Sequence, residues 1–153
     1  YNHPKIKAMV SFTKGEGFGR PLLEFSLTGK PIIASGWSGQ LDFLDNKRAL
    51  LIGGQLENVH KSAAVKDMIL EQAQWFKPDD VHVARAWTDM FKKYKDFIIP
   101  AKQLKNSNKV EFSFNKMVDE LKSYIEKYVP SFAVQVDLNI PKLDLPKLQK
   151  IDG

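Results

Sequence analysis

Apolar residues occur in short clusters separated by glycine and proline, and the first clusters alternate between strand and helix patterns. Ile6 to Phe12 predicts a buried strand, and a glycine-rich loop follows at Thr13 to Gly19. A helix over Pro21 to Thr28 is expected next, because proline suits a first turn and Gly29 suits the stop. Pro31 to Ser35 is a second apolar strand. This order of elements predicts a parallel βαβ unit with a right-handed crossover.

The pattern beyond this unit predicts one more strand, several helices and polar loops. A helix over Val81 to Phe97 is the clearest, because Asp79-Asp80 caps its start and apolar residues recur every three or four positions. A second amphipathic helix covers Phe114 to Tyr128. The other expectations are a loop at Gly36–Gly39, a short helix at Leu41–Leu44, a strand at Arg48–Ile52, helix at Val59–Ala73, a loop at Lys102–Lys109 and core positions for Trp75, Trp87, Phe91 and Tyr94.

The end of the chain has a different pattern. From Val134 to Ile140, apolar and polar residues alternate strictly, which predicts a half-buried strand. Pro141 and Pro146 follow, and proline is excluded from central strands. We therefore expect an extended tail or an edge strand here.

Composition narrows the class of protein. The 153 residues, 43% hydrophobic and 27% charged, fit one globular domain. No apolar run is long enough to span a membrane and no signal peptide is visible, so we expect a cytoplasmic location. Cysteine is absent, which excludes disulfides, thiolate metal sites and cysteine nucleophiles. The net charge of +5 is spread along the chain, so no specific nucleic-acid binding is expected.

Two carboxylates, Glu16 and Glu24, flank the end of the glycine-rich loop. Ligands of open α/β sheets bind at the carboxyl ends of the strands, where Glu16 is expected, and glycines there permit close backbone approach. A carboxylate in such a place can accept two hydrogen bonds from the vicinal diol of a ribose or hexose. A tight turn with solvated carboxylates explains the same spacing. The dinucleotide-binding glycine pattern and the Walker lysine are both absent.

The stretch from Lys14 to Leu44 closely resembles the donor-site motif of retaining GT-B glycosyltransferases of the family 4-like group. Those enzymes carry an E-x7-E motif, which Glu16 and Glu24 match. The resemblance covers about residues 6 to 52, with thinner similarity at Trp75 to Asp79. The matching context consists of Glu16-Gly17-Phe18-Gly19, Pro21, Gly29 to Ser35, Trp37-Ser38-Gly39 and Asp42-Phe43.

The resemblance implies a role for each motif residue. Glu24 would accept hydrogen bonds from the ribose of a nucleoside-diphosphate sugar, and Glu16, as the catalytic residue, would contact hydroxyls of the transferred sugar. The anomeric configuration would be retained, and no metal or other cofactor is expected. The further donor-binding residues implied are Gly17, Phe18, Gly19, Arg20, Ser38 and Gly39.

The resemblance also implies an α/β fold that is the C-terminal half of a GT-B donor domain, with a partial Rossmann-like parallel sheet. Residues 1–100 would form this half. The residue pattern places a linker and a C-terminal amphipathic helix at 101–129 and the extended tail at 130–153, and the tail resembles no known family. The acceptor domain, and the Arg and Lys that neutralise the diphosphate, would precede Tyr1 or come from a partner chain. We therefore expect this hexosyltransferase-type chain to be inactive alone, with an unidentified acceptor.

A second hypothesis comes from a different class of function. The strand pattern at Val134 to Ile140 could add to the sheet edge of another protein. The chain would then be a non-catalytic interaction or assembly module that has inherited a glycosyltransferase fold.

Overall fold

The computed structural model describes residues 1–65, 68–70 and 72–131. Within these ranges the chain has an α/β fold with a three-stranded parallel sheet, a separate antiparallel strand pair and four α-helices. The predicted strand at 134–140 and nearly all of the tail lie outside the described residues. The strands are β1 (Met9–Ser11), β2 (Ile32–Ser35), β3 (Leu50–Ile52), β4 (Gly54–Asn58) and β5 (Gln74–Pro78), and the helices are α1 (Arg20–Ser26), α2 (Asp80–Lys92), α3 (Ile98–Glu111) and α4 (Phe114–Tyr128).

The predicted βαβ unit is confirmed. β2 lies between β1 and β3 and is parallel to both, with Val10 opposite Ile33 and Ala34 opposite Leu51. Pro21 lies in the first turn of α1, where its missing N–H leaves no acceptor unsatisfied. Gly29 follows the helix with φ +72°, a left-handed conformation that a side chain would disfavour.

The sheet is covered by helices on both faces, so every residue of β2 is buried. Ile32 and Ala34 pack against Leu22 and Phe25 of α1 and against Leu104 of α3. On the opposite face, Ile33 and Ile52 pack against Ala86 and Met90 of α2. Each fully buried large apolar side chain contributes about 1.5–3 kcal/mol. Burial on both faces explains why β2 has a continuous apolar run instead of an alternating one.

Two predicted elements are wrong because contacts distant in sequence decide them. The described part of Val59–Ala73 contains no α-helix, only a one-turn 3-10 helix at Lys61–Ala63, and β4 and β5 pair on either side of it. Lys102–Lys109, predicted as a loop, belongs to α3. Burial of Ala101, Leu104 and Asn108 at helical spacing stabilises α3 despite its polar composition.

The predicted helix at Val81–Phe97 is also divided. Asp79 caps α2 as expected, since its carboxylate accepts the N–H of His82, but α2 ends at Lys92 and a 3-10 helix follows at Tyr94–Phe97. Two of the predicted core aromatics are not buried: Trp87 is 57% and Phe91 85% exposed. Trp75 and Tyr94 are half-buried, and Trp75 lies in β5.

The amphipathic helix predicted at Phe114–Tyr128 has these bounds in α4. Ser113 caps it by accepting the N–H of Lys116. Its apolar stripe, however, is exposed along its whole length. Of the helices within the described residues, none is both long and apolar enough to cross a membrane.

Candidate functional site

The loop that carries Glu16 is attached to the loop that follows β2. The Ser38 hydroxyl accepts the backbone N–H of Glu16 at 3.0 Å and donates to the Glu16 carbonyl. The N–H of Gly39 donates to the same carbonyl at 3.1 Å. Both loops leave the carboxyl ends of parallel strands, so they meet at the edge of the sheet where ligands of α/β proteins bind.

Ser38 has a backbone conformation that belongs almost entirely to glycine, with φ +77° and ψ −164°. No other non-glycine residue in the described ranges has a positive φ. Such a conformation costs about 1–3 kcal/mol and persists only where surrounding contacts enforce it. The two hydrogen bonds to Glu16 are contacts of that kind.

Gly39 packs directly against the glycine-rich loop. A Cβ at this position would clash with the carbonyl oxygen of Gly17 and would lie 2.7 Å from the Cα of Phe18. Glycine is therefore required for the two loops to approach this closely. Two residues of the sequence motif Trp37-Ser38-Gly39 thus hold the Glu16 loop in place. Ser38 does so through its hydroxyl, and Gly39 does so because it has no side chain to separate the loops.

Two backbone N–H groups after Glu16 are exposed and free of hydrogen bonds. Among the described residues, those of Gly17, Phe18 and Gly19 form no hydrogen bond, but only Gly17 and Phe18 are exposed and Gly19 is buried. The carbonyl of Gly19 accepts the N–H groups of Leu22 and Leu23 at the start of α1. The Phe18 ring packs on Phe43 at 5.2 Å between centroids, which fixes the loop from the other side. Successive backbone donors such as those of Gly17 and Phe18 can bind phosphate or sugar oxygens.

Glu24 lies one turn into α1 and is paired with Arg20. The Nε of Arg20 donates to Oε1 of Glu24 at 2.9 Å, and both side chains are exposed. A surface pair of this type contributes about 0–1 kcal/mol to stability, so a ligand can replace it at little cost. Glu16 is half-buried by comparison.

An open groove with a volume of about 580 Å³ lies beside this loop. Trp37 stacks on Phe76 of β5 with ring centroids 5.7 Å apart, and the Lys14 ammonium lies 4.2 Å from the Trp75 ring centroid. The sequence motif indicated Trp37. The lining residues that belong to β4 and β5 were not predicted, because helix was expected at 59–73. The lining residues are Thr13, Lys14, Gly15, Trp37, Leu56, Gln74 and Trp75.

The structure brings the predicted site residues together in two groups. Glu16, Gly17, Ser38 and Gly39 are in mutual contact, and Arg20 and Glu24 form the pair on α1. No cluster of three potential metal ligands occurs in the described part of the chain. Comparisons with protein-family models, curated proteins and solved structures find no match to this chain.

Proposed function

We propose that this chain is the donor-binding part of a retaining GT-B glycosyltransferase of the family 4-like group and binds a nucleoside-diphosphate sugar. The observation that carries the proposal is the anchored loop at Glu16, with the exposed N–H donors of Gly17 and Phe18 beside it and Glu24 on the following helix. The parallel sheet then corresponds to the second half of a Rossmann-like domain.

The chemistry of the donor matches the groups at the site. The exposed N–H groups of Gly17 and Phe18, which form no hydrogen bond in the described residues, can bind oxygens of the diphosphate and sugar. The Glu24 carboxylate can accept both hydroxyls of a ribose, since carboxylate oxygens accept charge-assisted hydrogen bonds. Glu16 then contacts hydroxyls of the sugar, at the end of the site opposite the nucleoside.

Retention places the acceptor on the same face of the sugar as the leaving diphosphate. The acceptor oxygen bonds to the anomeric carbon, the bond from that carbon to the diphosphate oxygen breaks, and the acceptor proton passes to the diphosphate. Stabilising the departing charge is worth several kcal/mol. Lys14 and Arg20, the nearest cations in sequence, contact Trp75 and Glu24. We propose that further positive charge from outside these residues is needed to neutralise the diphosphate, and we expect no turnover by this chain alone.

Amide NMR of the full chain tests donor binding directly, even where affinity is weak. Titration with UDP-glucose, GDP-mannose and ADP-glucose is expected to shift the signals of Gly17, Phe18 and Gly19 for at least one donor. Glu24→Gln should weaken that donor about tenfold, or ~1.4 kcal/mol. Glu126→Gln, on exposed α4, is the matched control and should have no effect. Unshifted loop signals with every donor would refute the proposal.

The exposed stripe of α4 favours a second candidate, the interaction module. One face of this helix carries Phe114, Leu121 and Tyr128, and each of these apolar side chains is more than half exposed. A large exposed apolar surface commonly marks a protein contact. In that case Leu121→Asp abolishes capture of the partner, while Glu24→Gln leaves capture unchanged, which is the reverse of the result expected for a donor-binding enzyme.

A further inference from the structure

Helix α4 is exposed around its whole circumference, including its apolar face. Of its 15 residues, Lys116 alone is partly covered. A helix of this length is marginal in water on its own, and helices in proteins gain most of their stability by burying an apolar face against a neighbour. The residues that the structure describes leave this face open, and the chemistry of the face indicates what covers it.

The apolar residues of α4 follow a heptad pattern. They recur at the alternating spacing of three and four residues that fills the a and d positions of a heptad, which is the pattern of a helix that packs along a second helix. These positions hold Phe114, Met117, Leu121, Tyr124 and Tyr128. Each of these five side chains is more than half exposed.

The two flanks of this stripe differ in chemistry. One flank, at the e positions, is apolar and consists of Val118 and Ile125, which are 42% and 48% exposed. The other flank, at the g positions, is charged and consists of Glu120 and Lys127. Glu120 is paired with Lys116 at 3.5 Å between Oε1 and Nζ, an exposed pair that contributes little to stability and that a charge on another molecule can replace.

An antiparallel second copy of α4 matches both flanks. In an antiparallel helix pair the e positions of the two helices face one another, and so do the g positions. One register of such a pair places Leu121 beside Tyr124 of the second copy. In this register Glu120 faces Lys127 of the second copy. On the other flank, Val118 faces Ile125 of the second copy. Because the pair has two-fold symmetry, each of these contacts occurs twice.

Other arrangements of two copies mismatch the flanks. Moving the second copy by one heptad keeps the same number of a–d layers within α4 but places Glu120 against Glu120 of the second copy. A parallel pair places Glu120 beside Ile125 of the other helix, because a g position there faces the e position five residues further on. Like charges in contact disfavour the first arrangement, and a charge against an apolar side chain disfavours the second. The flanks of α4 therefore favour a copy of the same helix, in one orientation and one register.

We propose that α4 packs antiparallel against α4 of a second copy of this chain, about a two-fold axis. Two helices of 15 residues form a small interface beside the ~800 Å² per partner of a standard one, so we expect a dimer that dissociates on dilution. The second candidate function leaves the partner of α4 open, whereas this inference assigns it. It does not rest on the donor site, and Glu24→Gln should dimerise as the wild type does.

Sedimentation equilibrium of the full chain over a wide range of concentration measures this dimer directly. We expect monomers in dilute solution and dimers in concentrated solution. Glu120→Lys and Lys127→Glu should each weaken the dimer about tenfold, because two pairs of opposite charge become two pairs of like charge. Glu126→Lys, on the opposite face of α4, makes the same change of charge as Glu120→Lys and should have no effect.

Mixing the two single variants identifies the partner and its orientation. In the mixed dimer the lysine introduced at position 120 faces the glutamate introduced at position 127, and the native Glu120 of one copy faces the native Lys127 of the other. The mixture should therefore dimerise about as strongly as the wild type, although each variant alone does not. A parallel pair does not produce this recovery, and neither does cover of the stripe by another part of the same chain.

Two apolar variants locate the interface independently of charge. Leu121→Asp should abolish the dimer, whereas Phe91→Asp, which removes an exposed apolar side chain from α2, should retain it. Both positions are on the surface, and circular dichroism shows whether each variant is folded.

Three results would overturn the proposal. A wild type that stays monomeric at every concentration would assign the stripe to another part of the chain or to a different protein. A dimer that both charge variants leave unchanged would place the interface elsewhere. A mixture that dimerises no better than its components would exclude the antiparallel register.

Discussion

The hydroxyl of Ser38 bonds with both backbone groups of Glu16, as acceptor from the N–H at 3.0 Å and as donor to the carbonyl. The two residues lie on loops that follow neighbouring parallel strands. One side chain thus fixes the direction in which the Glu16 loop leaves the sheet, and it does so from a strained backbone position.

Two substitutions of Ser38 distinguish the stabilisation from its hydrogen bonds from the cost of its strained backbone conformation. Ser38→Ala removes the partner of the Glu16 N–H and keeps the unfavourable φ, so we expect a loss of about 1–3 kcal/mol in the free energy of unfolding. Ser38→Gly loses the same bonds but relieves the strained conformation, so it should be less destabilised. Urea unfolding of the two variants gives the comparison. If the glycine variant is the less stable one, the strain argument is wrong.

Gly39 should tolerate no side chain. Gly39→Ala places a methyl group against the Gly17 carbonyl, so the loops must separate, at an expected cost of about 1–3 kcal/mol. Gly53→Ala is the matched control, because a Cβ there meets no atom within 4 Å. Amide signals of residues 16–19 should move in Gly39→Ala and remain in place in Gly53→Ala. Equal stability of the two variants would contradict the close approach.

Asn108 links α3 to α1 through a buried amide. It is 2% exposed, and its Nδ2 donates to the Ser26 hydroxyl at 2.9 Å and to the Phe43 carbonyl at 3.3 Å. Asn108→Ala leaves buried groups without partners, so we expect a loss of about 1–3 kcal/mol in urea unfolding. Asn106→Ala, at an exposed position on the same helix, should change stability little. Similar losses of stability in both variants would show that the hydrogen bonds of the Asn108 amide do not cause the loss.

Asp45 should make stability depend on pH in the acid range. Burial alone would raise its pKa, but the Arg48 guanidinium and the N–H groups of Lys47 and Arg48 outweigh burial and lower the pKa. A lowered pKa in the folded state stabilises the protein above the ordinary value of about 3.9, and this contribution is lost as the pH falls through the folded-state pKa.

Asp45→Asn tests this, because an asparagine oxygen can still accept from the two N–H groups. Thermal unfolding should show a lower Tm for the variant at pH 7 and a difference that shrinks below about pH 4. Asp119→Asn is the control, since Asp119 forms no ion pair within the described ranges. A Tm difference that is the same at every pH would exclude the charge as the cause.

Residue types such as proline and glycine predicted the helix ends, which depend on residues close together in the sequence. Pro21 and Gly29 marked the ends of α1 to within two residues, because helix termini depend on φ preferences that a sequence displays. The pairing of Leu56 with Phe76 could not be predicted, since the strands are separated by a long connection and their register depends on the partner.

The sequence motif named residues of the candidate site, but it did not indicate the contacts between them. Ser38 and Gly39, predicted as donor contacts, also contact the backbone of the Glu16 loop in the structure. That role depends on two loops meeting at one sheet edge, which spacing alone does not reveal. Lys14 and Trp75 are likewise far apart in sequence, and only the fold brings the ammonium over the ring.

Binding of a nucleotide sugar with and without its ribose hydroxyls tests the central claim most directly. The donor that shifts the loop most is compared with its 2′,3′-dideoxyribose analogue, on wild-type chain and on Glu24→Ala. We predict that removing the hydroxyls weakens binding to the wild type about tenfold and has no effect in the variant, because the side chain that accepts the hydroxyls is absent from it. An equal loss in both proteins would contradict contact between Glu24 and the ribose, and with it the assignment of this edge as a donor site.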